Sequence, residues 1–295
     1  MTAPPPGVEA DAPLARLTTI GTGGPARFLA RPTSAAELSE ILTWAECEEL
    51  EVAVIGLGSN LLVADEGYDG LALRLEGALA AIEIEGTDVR CGGGASLAAV
   101  VRRSTEAALA GIEFGCAIPG TVGGAVRMNA GAYGSEIRDV LLSADVVSAS
   151  GERSGGPVEL ELAYRRSNVR GSEIVAQAVL QLERGVRDQI RERVRELQRR
   201  RSESQPRKAR TFGSVFKNPG EGPGAGSLIE ACGLKGRKIG GARISSVHAN
   251  FIENTGEARS ADVAALVSLA QSCVRERFGV DLQHEVELLG PVSLA

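Results

Sequence analysis

Aromatic residues make up only 3% of this chain, and histidine occurs twice. Few rings leave few platforms on which single-stranded bases could stack. Positive charge is not in surplus either: the formal net charge is −6. An acidic chain lacks the electrostatic footprint of a nucleic-acid binder. The five cysteines, Cys47, Cys91, Cys116, Cys232 and Cys273, are odd in number and form no Cys-x-x-Cys pair. With only His248 and His284 beside them, neither a disulfide framework nor a structural zinc site is expected. No stretch reaches the roughly 20 apolar residues of a membrane span. The opening MTAPPPGVEADAP has neither the basic region nor the apolar core of a signal peptide. It reads as a disordered Pro-rich tail over residues 1–13. These absences predict a cytoplasmic protein without nucleic-acid, membrane or metal partners, and no obligatory protein partner is inferred.

Glycine is abundant, with 37 residues, and it is concentrated. The segment Gly111–Glu136, GIEFGCAIPGTVGGAVRMNAGAYGSE, holds seven glycines and almost no charge at its centre. Such a segment loses much backbone entropy on folding and offers little side chain to a core. Its use is close approach of backbone N–H groups to a ligand, and phosphate is the usual guest. A nucleotide-type ligand is therefore expected along Pro119–Gly131. The stretch GLGSN, Gly56–Asn60, follows a short apolar strand at Val52–Ile55. It fails as a Rossmann fingerprint, because Leu61 stands where a third glycine is needed. No P-loop pattern is present. A tight turn is its ordinary reading; beside the Gly-rich segment, two phosphate-cradling loops become the better one.

The rest of the pattern is mixed α and β. Ser34 and Glu37 form a capping box for a helix with Leu38, Ile41, Leu42 and Ala45 on its buried stripe. Strands are expected at Leu71–Leu75, Ile82–Cys91, Leu142–Ala149 and Glu173–Glu183, and a helix over Leu97–Leu109. Val186, Ile190, Val194 and Leu197 mark one face of a charged helix that ends before Pro206. The basic run Arg187–Arg210 is largely offset by acidic neighbours, as on a solvated helix face. Ala242–Glu253 predicts two short strands. Ser260 is the expected cap of a helix reaching Phe278, with Gly279 as its stop. LQHEVELLG closes the chain as an alternating strand.

TTIGTGGPARF, VIGLGSNLLVAD, AIPGTVGGAVRMNAGAYGSEI, YRRS, GSVFKNP, LIEACGLKGRKIGGARIS, HANFI and EVELLG occur in this order from about Leu17 to Gly290. Together they resemble the UDP-N-acetylenolpyruvoylglucosamine reductases. IPGTVGGA…NAGAYG and GSVFKNP carry the specificity. The resemblance implies an α+β fold: a two-part FAD-binding region of the PCMH or vanillyl-alcohol-oxidase type, then a smaller α+β substrate-binding domain. The expected limits are 14–76, 77–206 and 207–295. It implies non-covalent FAD, NADPH as hydride donor, and reduction of a UDP-sugar enolpyruvyl ether in peptidoglycan precursor synthesis. With only Tyr68, Tyr133 and Tyr164 present, the chain resembles the shorter subtype that lacks a tyrosine-bearing loop. Asn168–Val169 departs from relatives that place an aromatic after the YR-S core.

Carried over residue by residue, the resemblance gives Arg165 the substrate carboxylate, Glu285 the enol and Ser214 the proton. FAD would lie on Gly56, Gly58, Ser59, Asn60, Leu61, Pro119, Gly120, Thr121, Gly123, Gly124, Asn129 and Gly131. Lys217, Asn218, Lys235 and His248 would hold the UDP-sugar. Each also has an ordinary reading: Arg165 as a solvated loop arginine, Glu285 as an exposed strand residue, Ser214 as a turn serine, His248 as a packed, hydrogen-bonded ring. Two other functions compete: a flavin oxidase or dehydrogenase of the same fold acting on an alcohol, and a catalytically silent flavin-binding protein. GSVFKNP argues against the first, and the joint presence of Arg165, Ser214 and Glu285 against the second.

Overall fold

The computed structural model describes residues 3–206, 209–220 and 222–294. Arg207 and Lys208, which open the expected third domain and belong to the basic run, lie outside the described residues. The chain forms two compact units. Unit 1 holds residues 1–10, 28–57 and 70–201, and unit 2 holds 11–27, 58–69 and 202–295. Neither is a continuous segment, so the expected boundaries at 14, 77 and 207 do not match this division. The reason is that 11–27 and 58–69 each bring apolar residues, Ile20 and Leu62, to the core of unit 2. The proline-rich start is also not a disordered tail throughout. Val8–Pro13 is a strand at the edge of a four-stranded sheet, followed inward by Pro25–Ala30, Tyr68–Leu73 and Val52–Val54.

In unit 1, helix α1 (Ala35–Cys47) begins as expected: Ser34 Oγ accepts the Glu37 N–H at 3.2 Å. The Glu37 carboxylate reaches back to the Thr33 N–H at 2.7 Å. Leu38, Ile41, Leu42 and Ala45 are buried, joined by Trp44, which meets Phe28 edge-on at 5.1 Å. A second core lies over an antiparallel sheet ordered Gly151–Gly155, Leu141–Ser148, Ile174–Gln181, Asp88–Gly92, Ile82–Glu85. The single strand expected over Ile82–Cys91 is thus a hairpin. Gly86, at φ +64°, supplies the left-handed turn that lets Glu85 pair with Asp88. Against this core pack helix α2 (Leu97–Glu106), capped by Ser96, and the short helix α3 (Val122–Arg127), capped by Thr121. Helix α4 (Arg187–Ser204) ends before Pro206 and buries Ile190 and Leu197, while Val186 stays exposed.

Unit 2 is built on helix α5 (Ala225–Ala231), helix α6 (Ser260–Phe278) and a sheet ordered Lys238–Ile239, Ala242–Ile244, Ile252–Asn254. Val263, Leu266, Val267, Ala270 and Val274 form the buried side of α6, and Gly279 at φ +67° ends it. Ser260 is not its cap. It is the first helical residue, and the Asp65 carboxylate accepts the N–H groups of Ser260 and Ala261 at 2.9 and 3.0 Å. A carboxylate arriving from another segment satisfies the orphan donors better than a local serine. The closing strand is short, Glu287–Leu289, and runs parallel to Leu61–Val63. Among the described residues no helix is long and apolar enough to cross a membrane.

Candidate active site

In unit 1 the two glycine-rich loops meet. A Cβ on Gly56 would sit 2.6 Å from Thr121 Oγ1, so only glycine lets the strand-end loop lie against the start of α3. Further along the loop, in unit 2, Gly58 has φ +65°, and a Cβ there would fall 1.9 Å from the Leu17 carbonyl oxygen. The backbone N–H groups of Gly56, Leu57, Gly58 and Asn60 have no acceptor among the described residues. Unspent backbone donors in a glycine-rich loop are the chemistry that anionic groups such as phosphate require. The N-terminus of α3 offers less than expected. Val122 N–H donates to Ala95 O at 2.8 Å, Gly123 N–H to Gly93 O at 2.8 Å, and Gly124 N–H to Thr121 Oγ1 at 3.4 Å. Those three donors are therefore spent within the protein, and Gly120 N–H likewise bonds Ile118 O.

Asn129 and Gly131 have a different task. Asn129 is fully buried at φ +39°; its Nδ2 donates to Ala163 O at 3.1 Å, and its Oδ1 accepts the Arg138 N–H at 2.9 Å. The Gly131 carbonyl accepts Arg165 Nη2 at 2.8 Å, and Ser167 Oγ donates to Arg127 O at 2.6 Å. Ala163, which precedes the YRRS segment, and Arg165 and Ser167 within it are thereby tied to the Gly-rich segment. Ala163 and Arg166 exchange two backbone hydrogen bonds, which places Tyr164 and Arg165 at the tip of a tight turn. Arg165 occupies φ +52° there and stacks over the Tyr164 ring at 5.0 Å. A non-glycine residue in that region carries strain of order 1 kcal/mol, a pattern enriched at functional sites. The guanidinium is held to the Gly131 carbonyl. Asn168 donates to Glu159 O, and Val169 is buried, so the departure from the family pattern is absorbed locally.

The basic run is mostly a solvated, balanced face. Glu196 pairs with Arg199 at 2.8 Å and Arg200 at 2.6 Å, and Asp188 with Arg191 at 3.5 Å. Arg201 differs. It is part-buried and interacts electrostatically with Tyr133 and Cys116 of the Gly-rich region. Burial lowers its pKa. Burial also pushes the Cys91 thiol up to about 12 and raises Cys116, so neither is a ready nucleophile.

Unit 2 collects the other expected residues. Gly213, at φ +84°, precedes Ser214, whose hydroxyl is part-exposed and has no hydrogen-bond partner among the described residues. Glu285 N–H donates to Val215 O at 2.7 Å, and Phe216 bridges His284. The segments carrying Ser214 and Glu285 therefore lie side by side. Asn60 Nδ2 donates to Glu285 O at 3.0 Å, so its side chain steadies the Glu285 segment. Leu61 is in the strand that pairs with Glu287. Asn218 Oδ1 accepts the Ala225 N–H at 3.1 Å and so caps α5. Lys217 pairs with no acidic residue among those described, whereas Lys235 meets Glu230 at 2.8 Å. His248 Nδ1 accepts the Asn250 N–H at 3.2 Å, which fixes its proton on Nε2. Burial first, then the Lys235 charge, holds its pKa below the ordinary value. Sequence reasoning missed Asn250, although the HANFI motif contains it; a lone asparagine gives no signal until its partners are known.

Comparison with known proteins defines the class. Residues 26–154 match the family described as "FAD binding domain", and residues 205–289 the one described as "UDP-N-acetylenolpyruvoylglucosamine reductase, C-terminal domain". The fold and these matches make the protein an FAD-dependent oxidoreductase. UDP-N-acetylenolpyruvoylglucosamine reductase 2 of Symbiobacterium thermophilum is 44% identical over 94% of this chain and 91% of its own. The reductase of Paramagnetospirillum magneticum is 43% identical over 95% and 91%. The crystal structure of the Thermus caldophilus enzyme superposes with a TM-score of 0.84 at 37% identity, over 96% of this chain and 98% of that one. The chain belongs to the UDP-N-acetylenolpyruvoylglucosamine reductase family.

Proposed function

We propose that the protein reduces the enolpyruvyl ether of UDP-N-acetylglucosamine to UDP-N-acetylmuramate, with NADPH as the reductant, in the cytoplasm. FAD, when bound, would supply the hydride that the terminal carbon of the enolpyruvyl group takes up. Electron density then moves toward the carboxylate, and a proton must reach the neighbouring carbon. Arg165 binds the carboxylate; the guanidinium fork matches it and stabilises the charge that develops there. Glu285 stabilises the enol form. Ser214 gives its hydroxyl proton to the substrate carbon and is reprotonated from solvent. Lys217 supports the diphosphate, and Lys235 and His248 line the UDP-sugar site. Gly56, Gly58, Ser59, Asn60 and Thr121 hold the cofactor through backbone groups. Attachment is non-covalent in this reading: both histidines lie outside the residues that match the FAD-binding domain, and burial raises the pKa of two of the thiols within it, Cys91 and Cys116.

The observation that carries this reading is the turn at Arg165: a guanidinium held at positive φ and bonded to Gly131 of the segment expected to face the cofactor. The test is Ser214→Ala in stopped flow. Bleaching of the flavin by NADPH is expected to be unchanged, and recovery on adding the enolpyruvyl substrate to slow by about 10²-fold or more, as for loss of a general acid. Equal loss in both steps would rule out the proton-donor role.

A further inference from the structure

Asn250 is 3% exposed, and its polar groups converge on the two residues that follow Ser214. Its Oδ1 accepts the Phe216 N–H at 2.9 Å, and its Nδ2 donates to Phe216 O at 2.8 Å. Its own carbonyl accepts the Val215 N–H at 2.9 Å. A side-chain amide that satisfies both the donor and the acceptor of one residue takes the place of a neighbouring strand. The other edge of the same segment is held by backbone: Glu285 N–H donates to Val215 O at 2.7 Å, and Lys217 N–H to Gln283 O at 2.9 Å. Both polar backbone groups of Val215 and of Phe216 are therefore fixed, and the Lys217 N–H with them. On the other side of Ser214 stands Gly213, in a left-handed conformation that a side chain would resist.

We infer that Asn250 is a positioning residue for proton delivery by Ser214. A hydroxyl is a weak acid, and it is effective only when held at the carbon that takes the proton. The Ser214 hydroxyl has no partner of its own among the described residues. Its placement depends on the backbone behind it, and Asn250 locks that backbone without touching the reacting atoms. His248 extends the arrangement, since its Nδ1 accepts the Asn250 N–H at 3.2 Å and so fixes the backbone of Asn250. The inference rests on the reading of Ser214 as proton donor, and its test separates the two.

The test is a double-mutant cycle on the FAD-loaded enzyme, using Asn250→Asp, Ser214→Ala and their combination. Asn250→Asp keeps size and the acceptor for Phe216 N–H but loses the donor to Phe216 O. NADPH-driven bleaching is expected to stay within about twofold of the parent, and substrate-driven recovery to slow by about 10-fold or more. In the Ser214→Ala background the same change is expected to slow recovery by less than about threefold, because a residue acting through Ser214 has nothing left to position. Equal slowing in both backgrounds, or equal loss in both half-reactions, would overturn the role of Asn250. Normal recovery in Ser214→Ala alone would instead overturn the reading of Ser214. If the Asp variant fails to retain FAD, Asn250→Ser, smaller and neutral, decides by the same criteria.

Discussion

At the scale of single residues, the polar groups of unit 2 divide between holding backbone and facing outward. Asn60, Asn218 and Asn250 are bound to backbone, whereas the Ser214 hydroxyl is not. His248 belongs to the first group, and its environment has a pH consequence. Burial and the Lys235 charge lower its pKa below 6.5, so the folded state binds the proton less readily than the unfolded chain. Above pH 6.5 both states are neutral and nothing is lost. As pH falls below that value the unfolded chain takes up the proton first, and stability falls until the lower folded pKa is passed. His248→Gln is therefore expected to lose less melting temperature than the parent between pH 7 and pH 5. Equal losses in a thermal scan would show that the ring titrates as freely in the folded protein as in the unfolded one.

At the scale of elements, the loops carry the function and the glycines within them are geometric necessities. Gly58 is the clearest case, with φ +65° and a carbonyl oxygen where a Cβ would go. Gly58→Ala is expected to cost about 2 kcal/mol or more, because strain at positive φ and a backbone clash add. The checks are the denaturation midpoint and the FAD retained after gel filtration; an unchanged midpoint would contradict the close approach to Leu17. Much at this scale was legible beforehand. The Ser34 cap, the buried stripe of α1 and the glycine stop of α6 are local rules, and each held, although the Glu37 carboxylate closes on the Thr33 N–H and not on that of Ser34. What was not legible depends on distant partners. Asp65 caps α6 from 195 residues away, and Asn129, expected to face a cofactor, is spent on Ala163 O and Arg138 N–H. A hydrophobic pattern also cannot show that Gly86 folds Ile82–Cys91 back on itself.

At the scale of the whole molecule, the chain passes between its two units five times: within the strands Val8–Pro13, Pro25–Ala30 and Tyr68–Leu73, after Leu57, and within α4. Matching the residues 205–289 to a C-terminal domain family therefore does not define an independent folding unit. The fragment 202–295 lacks Ile20 and Leu62, both fully buried in its core, and Asp65, which caps its longest helix. Expressed alone, it is expected to show no cooperative thermal transition; a sharp one would mean that the core closes without them. One anaerobic absorbance experiment on the FAD-loaded protein tests the proposed reaction. NADPH is added first and the UDP-sugar enolpyruvyl ether second. Bleaching of the flavin band and then its recovery on addition of the second compound are expected. Bleaching with no recovery would contradict the assignment of that substrate.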